Sequence, residues 1–100
     1  MQMGGMNMDF KLAEKSPNHF AYEYEQDGKK LAEIEWNLRN GIMDMTHTYV
    51  SDVLRGQGVA KKLLDQAADY ARENHYKMNP ICSYVVAAFE KSKSYDDVKA

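Results

Sequence analysis

A single cysteine, Cys82, stands in the 100 residues. One thiol cannot bridge to itself, so no disulfide within the chain is available to hold the fold. A reducing setting, the cytoplasm, is the simplest expectation. No apolar run approaches the ~20 residues that a helix needs to span a bilayer, so a membrane is not expected as a partner. Strong charge of either sign is also missing: 13 Lys and Arg face 15 Asp and Glu, for a formal net charge of -2. That balance offers nothing to attract a phosphate backbone, so nucleic acid is not expected as a partner either. The opening residues, MQMGGMNM, lack the cationic-then-apolar order of a secretory signal and read as a short flexible leader, residues 1–8. There is no internal repeat and no low-complexity stretch.

What remains is an ordinary globular composition, 44% hydrophobic and 28% charged. The length fits one domain with one modest core. The expected domain covers residues 9–91, followed by a polar, loose tail at 92–100.

The first half has a period of two. In HFAYEYEQ, the rings of Phe20, Tyr22 and Tyr24 alternate with Ala21, Glu23 and Glu25, the pattern of a half-buried strand. Asp27-Gly28 is a tight-hairpin pair because glycine takes positive φ freely. KLAEIEWNL then sets Ala32, Ile34, Trp36 and Leu38 on one side, with Glu33 and Glu35 turned to the other. After a second hairpin pair, Asn40-Gly41, the segment IMDMTHTYV places Met43, Met45, His47 and Tyr49 on one face. An earlier strand near Asp9–Glu14 closes at Ser16-Pro17-Asn18. The second half changes period. Val59, Leu63, Ala67, Tyr70 and Ala71 form a helical stripe between Gly58 and Asn74. Tyr76–Ile81 reads as a short strand and Ser83–Lys91 as a second helix. An antiparallel four-strand meander, a long helix, a short strand and a second helix make an α+β fold of α/β-type layers.

Directly before the long helix lies RGQGVA, Arg55 to Ala60. A helix start has about four backbone N–H groups without intrahelical partners, and the helix dipole adds roughly half a positive charge there. Glycines let a phosphate approach those groups. The alternative is a plain strand-to-helix turn, which also uses glycine. The G-x-x-x-x-G-K-[ST] loop is absent, since Val-Ala-Lys-Lys follows Gly58. The G-x-G-x-x-G fingerprint lacks its third glycine and its preceding βαβ unit.

Arg55-Gly56-Gln57-Gly58-Val59-Ala60 resembles the Q/R-x-x-G-x-G/A signature of the GNAT (GCN5-related) N-acetyltransferase superfamily. Three further matches, His47-Thr48-Tyr49-Val50, Tyr70-Ala71-Arg72-Glu73 and Pro80-Ile81-Cys82, resemble a compact subfamily of about this length. The likeness runs from about Phe10 to Phe89. It implies a minimal GNAT fold and acetyl-CoA as cosubstrate, with no metal. Backbone groups around Thr48 and Val50 would pair with the pantetheine arm. Amides from Gly56 through Gln57, Gly58, Val59 and Ala60 to Lys61 would receive the pyrophosphate, with Arg55 and Lys61 adding charge.

The activity the likeness implies is transfer of acetyl to an amine on an acceptor the sequence does not identify, a protein among the candidates. His47 is the candidate base, since histidine titrates near neutral pH; its bland reading is a hydrogen-bonded sheet histidine. Cys82, at a helix start where a thiolate is stabilised, is the candidate acyl carrier; its bland reading is a small buried hydrophobe. Some positions depart from the pattern. Phe89 stands where many members have a tyrosine acid, leaving Tyr84 and Tyr95 as substitutes. Tyr49, Ser83 and Ser92-Lys93-Ser94 also differ from the compact subfamily, and the acceptor side is expected to be open. Two other readings stay in view: a non-catalytic acyl-CoA-binding or sensing module, and a small interaction domain using its tyrosine-rich strands.

Overall fold

A computed structural model of the chain describes residues 8–100; most of the expected leader lies outside the described residues. Four strands, β1 (Lys11–Ser16), β2 (His19–Gln26), β3 (Lys29–Arg39) and β4 (Ile42–Val50), run as an antiparallel meander. A 3₁₀ turn (Asp52–Leu54) leads into helix α1 (Val59–Asn74), which crosses over to β5 (Lys77–Pro80), parallel to β4. Helix α2 (Ser83–Lys91) and a closing 3₁₀ segment (Lys93–Val98) follow. The strand order is β1-β2-β3-β4-β5. Both hairpin pairs turn as their residues require. Asp27 and Gly28 have φ of 55° and 79°, and Asn40 and Gly41 have φ of 49° and 79°, the mirror-image turn that matches strand twist.

The core fills one face of the sheet. Phe20 opposes Trp36 and Tyr22 opposes Ile34, so the period-two rings of β2 meet the apolar side of β3. Helix α1 lays Val59, Leu63, Leu64, Ala67, Ala68 and Ala71 onto them. Trp36 is fully buried, with Tyr22 and Tyr70 rings at 5.6 and 5.4 Å. From α2, Val85 and Phe89 join the same cluster. The opposite face carries Lys15, His19, Glu23, Glu33, Glu35 and His47, whose mutual ion pairs are made by strand residues alone.

The structure corrects two expectations. In the β3–β4 ladder Trp36 opposes Met45 while Glu35 opposes His47, so Thr46 is an extra residue in β4. This bulge reverses the alternation. Met43 and Met45 are buried, but His47 and Tyr49 turn to the opposite, charged face, and Thr48 and Val50 take the core side opposite Ile34 and Ala32. The four residues therefore do not share a face. The segment 92–100 is also not a loose tail. Tyr95 and Val98 are buried, and the Tyr95 hydroxyl donates to Asp65 of α1. Arg72 holds Asp97 through two bonds of 2.7 and 3.0 Å and donates to the Ser94 carbonyl.

Candidate functional site

Two features of the backbone meet at one end of β4. The first is a fork. β5 pairs with β4 only from Ile42 to Met45. The amides of Ile81 and Cys82 then both donate to the Met45 carbonyl, at 3.2 and 2.9 Å, and the chain leaves the sheet to start α2. From Thr46 to Val50, β4 has β3 on one side and no strand on the other among the described residues. A free strand edge is an unpaired row of donors and acceptors, suited to a ligand that itself carries amides. Thr48 and Val50, the residues expected to hold a pantetheine arm, lie on this stretch.

The second feature is the turn that opens α1. Ser51 caps the 3₁₀ turn, with its hydroxyl accepting from the Val53 amide at 3.3 Å and its carbonyl from Leu54 at 3.0 Å. The Arg55 amide donates to Asp52 and the Gln57 amide to Leu54. Gly56 and Gly58 take φ of 83° and 66°, a region that costs ordinary residues a steric penalty. Gly58 begins the helix with no side-chain cap, and its carbonyl accepts from Lys62. Among the described residues, no protein acceptor falls on the amides of Gly56, Gly58, Val59, Ala60 or Lys61. The amide of Gln57, also expected to face a ligand, is instead turned into the loop.

Cations surround that turn. Arg55 pairs with Asp52 at 2.9 Å and Lys61 with Asp65 at 2.8 Å, both well exposed. Lys62 bends back so that its Nζ donates to the Gln57 carbonyl at 2.9 Å. That return depends on the loop carbonyl that the glycine turn brings within reach. The Gly58 Cβ position meets nothing within 4 Å, so the site is open to solvent and to an incoming anion.

The two candidate catalytic residues part company at the fork. Cys82 caps α2 with extended backbone (φ -70°, ψ 149°). Its Sγ lies 3.3 Å from Thr48 Oγ1, so the candidate acyl carrier meets a candidate pantetheine residue. His47 precedes Thr48 and so points the other way. It is half-exposed, and its Nε2 lies 3.6 Å from Glu33 Oε2. No hydrogen bond joins His47 to Cys82.

Glu33, on the side of β3 turned away from the apolar residues as expected, is nearly buried at 6% exposure. Lys30 and Lys15 donate to its Oε1 at 2.8 and 3.0 Å. Burial pushes its carboxyl up, but hydrogen bonding to Lys30, Glu35 and Lys15 outweighs that and holds it down at about 2. Burial pulls Lys15 down, and its bonds to Glu33 and Glu23 raise it well above the usual lysine range. Period-two spacing showed that Glu33 shares a face with Glu35. It did not show that lysines from β1 and the hairpin fold over them, because that needs the strand register. Glu33, Glu35 and His47 each present one ligand atom within 4.8 Å of the others. Lys15 and Lys30 already supply the positive charge there, so a divalent ion has to displace them to bind.

Of the substitute acids, the Tyr95 hydroxyl is committed to Asp65, and burial followed by that bond raises it far above the usual tyrosine range. Burial raises Tyr84 as well. Tyr84 and Tyr95 line, with Lys61 and Lys91, a cavity of about 270 Å³ between α1 and α2.

A family model described as GCN5-related N-acetyl-transferase matches residues 19–98. Protein NATD1 of Gallus gallus is 41% identical over 44 residues, 44% of this chain and 40% of that protein. The Xenopus tropicalis protein of that name is 36% identical over 62 residues, 62% of this chain and 47% of that one. The chain thus spans less than half the length of these curated relatives. Among solved structures, a GCN5-like protein from Staphylococcus aureus shares 39% identity, covers 94% of this chain and 89% of its own, and superposes with a TM-score of 0.72. The ribosomal-protein-S18-alanine N-acetyltransferase from Escherichia coli is 15% identical, covering 77% of this chain and 53% of its own with a TM-score of 0.64; that likeness is one of fold.

Proposed function

The chain belongs to the GCN5-related N-acetyltransferase family, and from that premise we propose that it binds acetyl-CoA and moves the acetyl group to an amine. Acetyl-CoA binding is typical of the family. One observation carries the reading: the unclaimed amides of Gly56, Gly58, Val59, Ala60 and Lys61 open α1 at the end of the strand edge that β5 leaves bare. An anion-seeking end and an amide-seeking edge, contiguous along the chain, suit a ligand with a diphosphate at one end of an amide-bearing arm. The glycine turn is therefore read as a pyrophosphate site, with Arg55, Lys61 and Lys62 around it. Thr48 and Val50 would hold the arm.

When bound, acetyl-CoA supplies an acyl group activated as a thioester. The chain's own part is to orient it and to take the first of the two protons that the ammonium loses, the second leaving with the coenzyme A thiolate as the C–S bond breaks and the C–N bond forms. His47 faces the strand-built side and accepts the proton of the incoming ammonium. Cys82, beside Thr48, is placed to take the acyl group on its sulfur if transfer runs through the protein. The acceptor amine approaches from the charged face, where among the described residues only strand side chains stand, and a protein side chain is the acceptor proposed.

A specific feature favours a second reading, a non-catalytic acyl-CoA-binding or sensing module: His47 and Cys82 lie on opposite sides of β4, so no base serves the thiol. Intact-mass spectra of the protein mixed with acetyl-CoA separate the two. Acetylated Cys82, or acetylated amine product that falls away in His47→Ala, supports transfer. Retained coenzyme without any acetyl movement supports the sensing module. No retention of coenzyme at all defeats both.

A further inference from the structure

We propose that Glu33 is the positioning residue for His47, its carboxylate fixing which ring nitrogen carries the proton and leaving the other to accept one from the amine. The inference rests on the reading of His47 as base.

Three observations carry it. The Glu33 carboxylate is nearly buried, so it is not a mobile surface group. Both lysine contacts shorter than 3.1 Å, Lys30 Nζ and Lys15 Nζ, fall on Oε1, which leaves Oε2 directed at His47 Nε2 across 3.6 Å. The other groups on this face have further partners, and Glu35 also stands beside Glu33 and His47, with one oxygen within 4.8 Å of each. Glu35, the register partner of His47, has Oε1 bonded to His19 Nε2 at 2.9 Å and Oε2 3.6 Å from Lys15. Glu23 is held by Lys15 and, more loosely, by Lys30. Tyr49 shares the face and opposes Glu33 in the ladder.

A neutral imidazole that faces a carboxylate oxygen turns an N–H toward it, which fixes the tautomer. Here that places the proton on Nε2 and the lone pair on Nδ1. The distance of 3.6 Å stands just outside hydrogen-bond reach; catalytic pairs commonly tighten only when substrate is bound. The lysines have a definite part. By occupying Oε1 they stop the carboxylate from rotating its second oxygen away from the ring.

The tautomer is read directly by ¹⁵N NMR on histidine-labelled protein at a pH where the ring is neutral. The Nε2–H form of His47 is expected to dominate in the wild-type chain. In Glu33→Gln, which keeps the shape but loses the charge, the Nδ1–H form is expected to rise to a comparable population. Steady-state acetylation of an amine by that variant should then lose roughly tenfold in kcat, within the range of general-base effects, while KM for acetyl-CoA stays put. A dominant Nδ1–H form in the wild type overturns the assignment without any variant. A tautomer ratio or kcat untouched by Glu33→Gln in the folded protein overturns it as well. The base reading fails differently: His47→Ala then transfers acetyl at the wild-type rate, whatever the resting tautomer.

Discussion

Gly58 has room for a side chain but not the backbone for one. Its φ is 66°, and a Cβ there meets nothing within 4 Å. The penalty for replacing it therefore comes from the left-handed conformation, about 1–2 kcal/mol for an ordinary residue, and not from crowding. Gly58→Val should lower stability by about that amount, more than Gly58→Asn, because asparagine visits this region far more readily than a β-branched residue. Chemical denaturation of the two variants checks the order. Calorimetric titration with coenzyme A checks the consequence: the valine variant, relaxing toward negative φ, misdirects the Gly58–Lys61 amides and binds more weakly. Equal affinity in a folded Gly58→Val protein removes the pyrophosphate assignment. At this scale the glycine spacing was legible because glycine takes positive φ at the least steric cost. Glu33 was not, because a glutamate between two apolar residues looks alike whether it meets water or two lysines.

At the scale of the element, the sequence showed the five strands and both α-helices, and it lost track where a period is broken. Thr46 is one residue inserted into a ladder, and a period-two count runs straight through it. Its deletion is the sharp test. Removing it joins Met45 directly to His47, and strict alternation then keeps His47 and Tyr49 on the charged side and Thr48 and Val50 on the core side. We expect the deletion variant to keep the native fold by circular dichroism with the bulge regularised, and Thr46→Ala, which keeps the count, to unfold within about 1 kcal/mol of wild type. A deletion variant that cannot fold contradicts the bulge, since in a regular ladder the same deletion flips every later side chain to the wrong face.

The closing segment failed to show itself for another reason. SKSYDDVKA offers three apolar residues in nine, one of them the last, Ala100, yet Tyr95 and Val98 are three apart, the spacing of a 3₁₀ turn, and both are buried. Fully burying side chains of that kind is worth about 1.5–3 kcal/mol each. Truncation after Lys91 should therefore cost about 3–6 kcal/mol, seen as a large drop in the denaturation midpoint. Midpoints that coincide show the segment to be dispensable.

Across the whole molecule, the two faces of the sheet are held by different physics. One is an apolar core under α1 and α2. The other is a set of carboxylates and lysines in which Glu33 is the buried member, and this division was legible only as a polar side, because which charges meet depends on β1 lying over β2 in register. The difference makes stability depend on acid. The Glu33 carboxyl falls from an ordinary 4.5 to about 2. A depressed acid stabilises the fold fully above its unfolded value and loses that contribution as pH falls through the folded one. Stability should therefore decline between roughly pH 4.5 and pH 2, as Glu33 gains a proton and releases Lys30 and Lys15. Lys15, raised by the same pairs, keeps its contribution through neutral pH and loses it only in strong alkali. Glu33→Gln is less stable at neutral pH but has a shallower acid limb, since it has no charge there to lose. Urea midpoints of both proteins at pH 2.5, 3.5, 4.5 and 7 give the two slopes. Parallel slopes remove Glu33 from its place at the centre of the charged face, and with it the anchor proposed for His47.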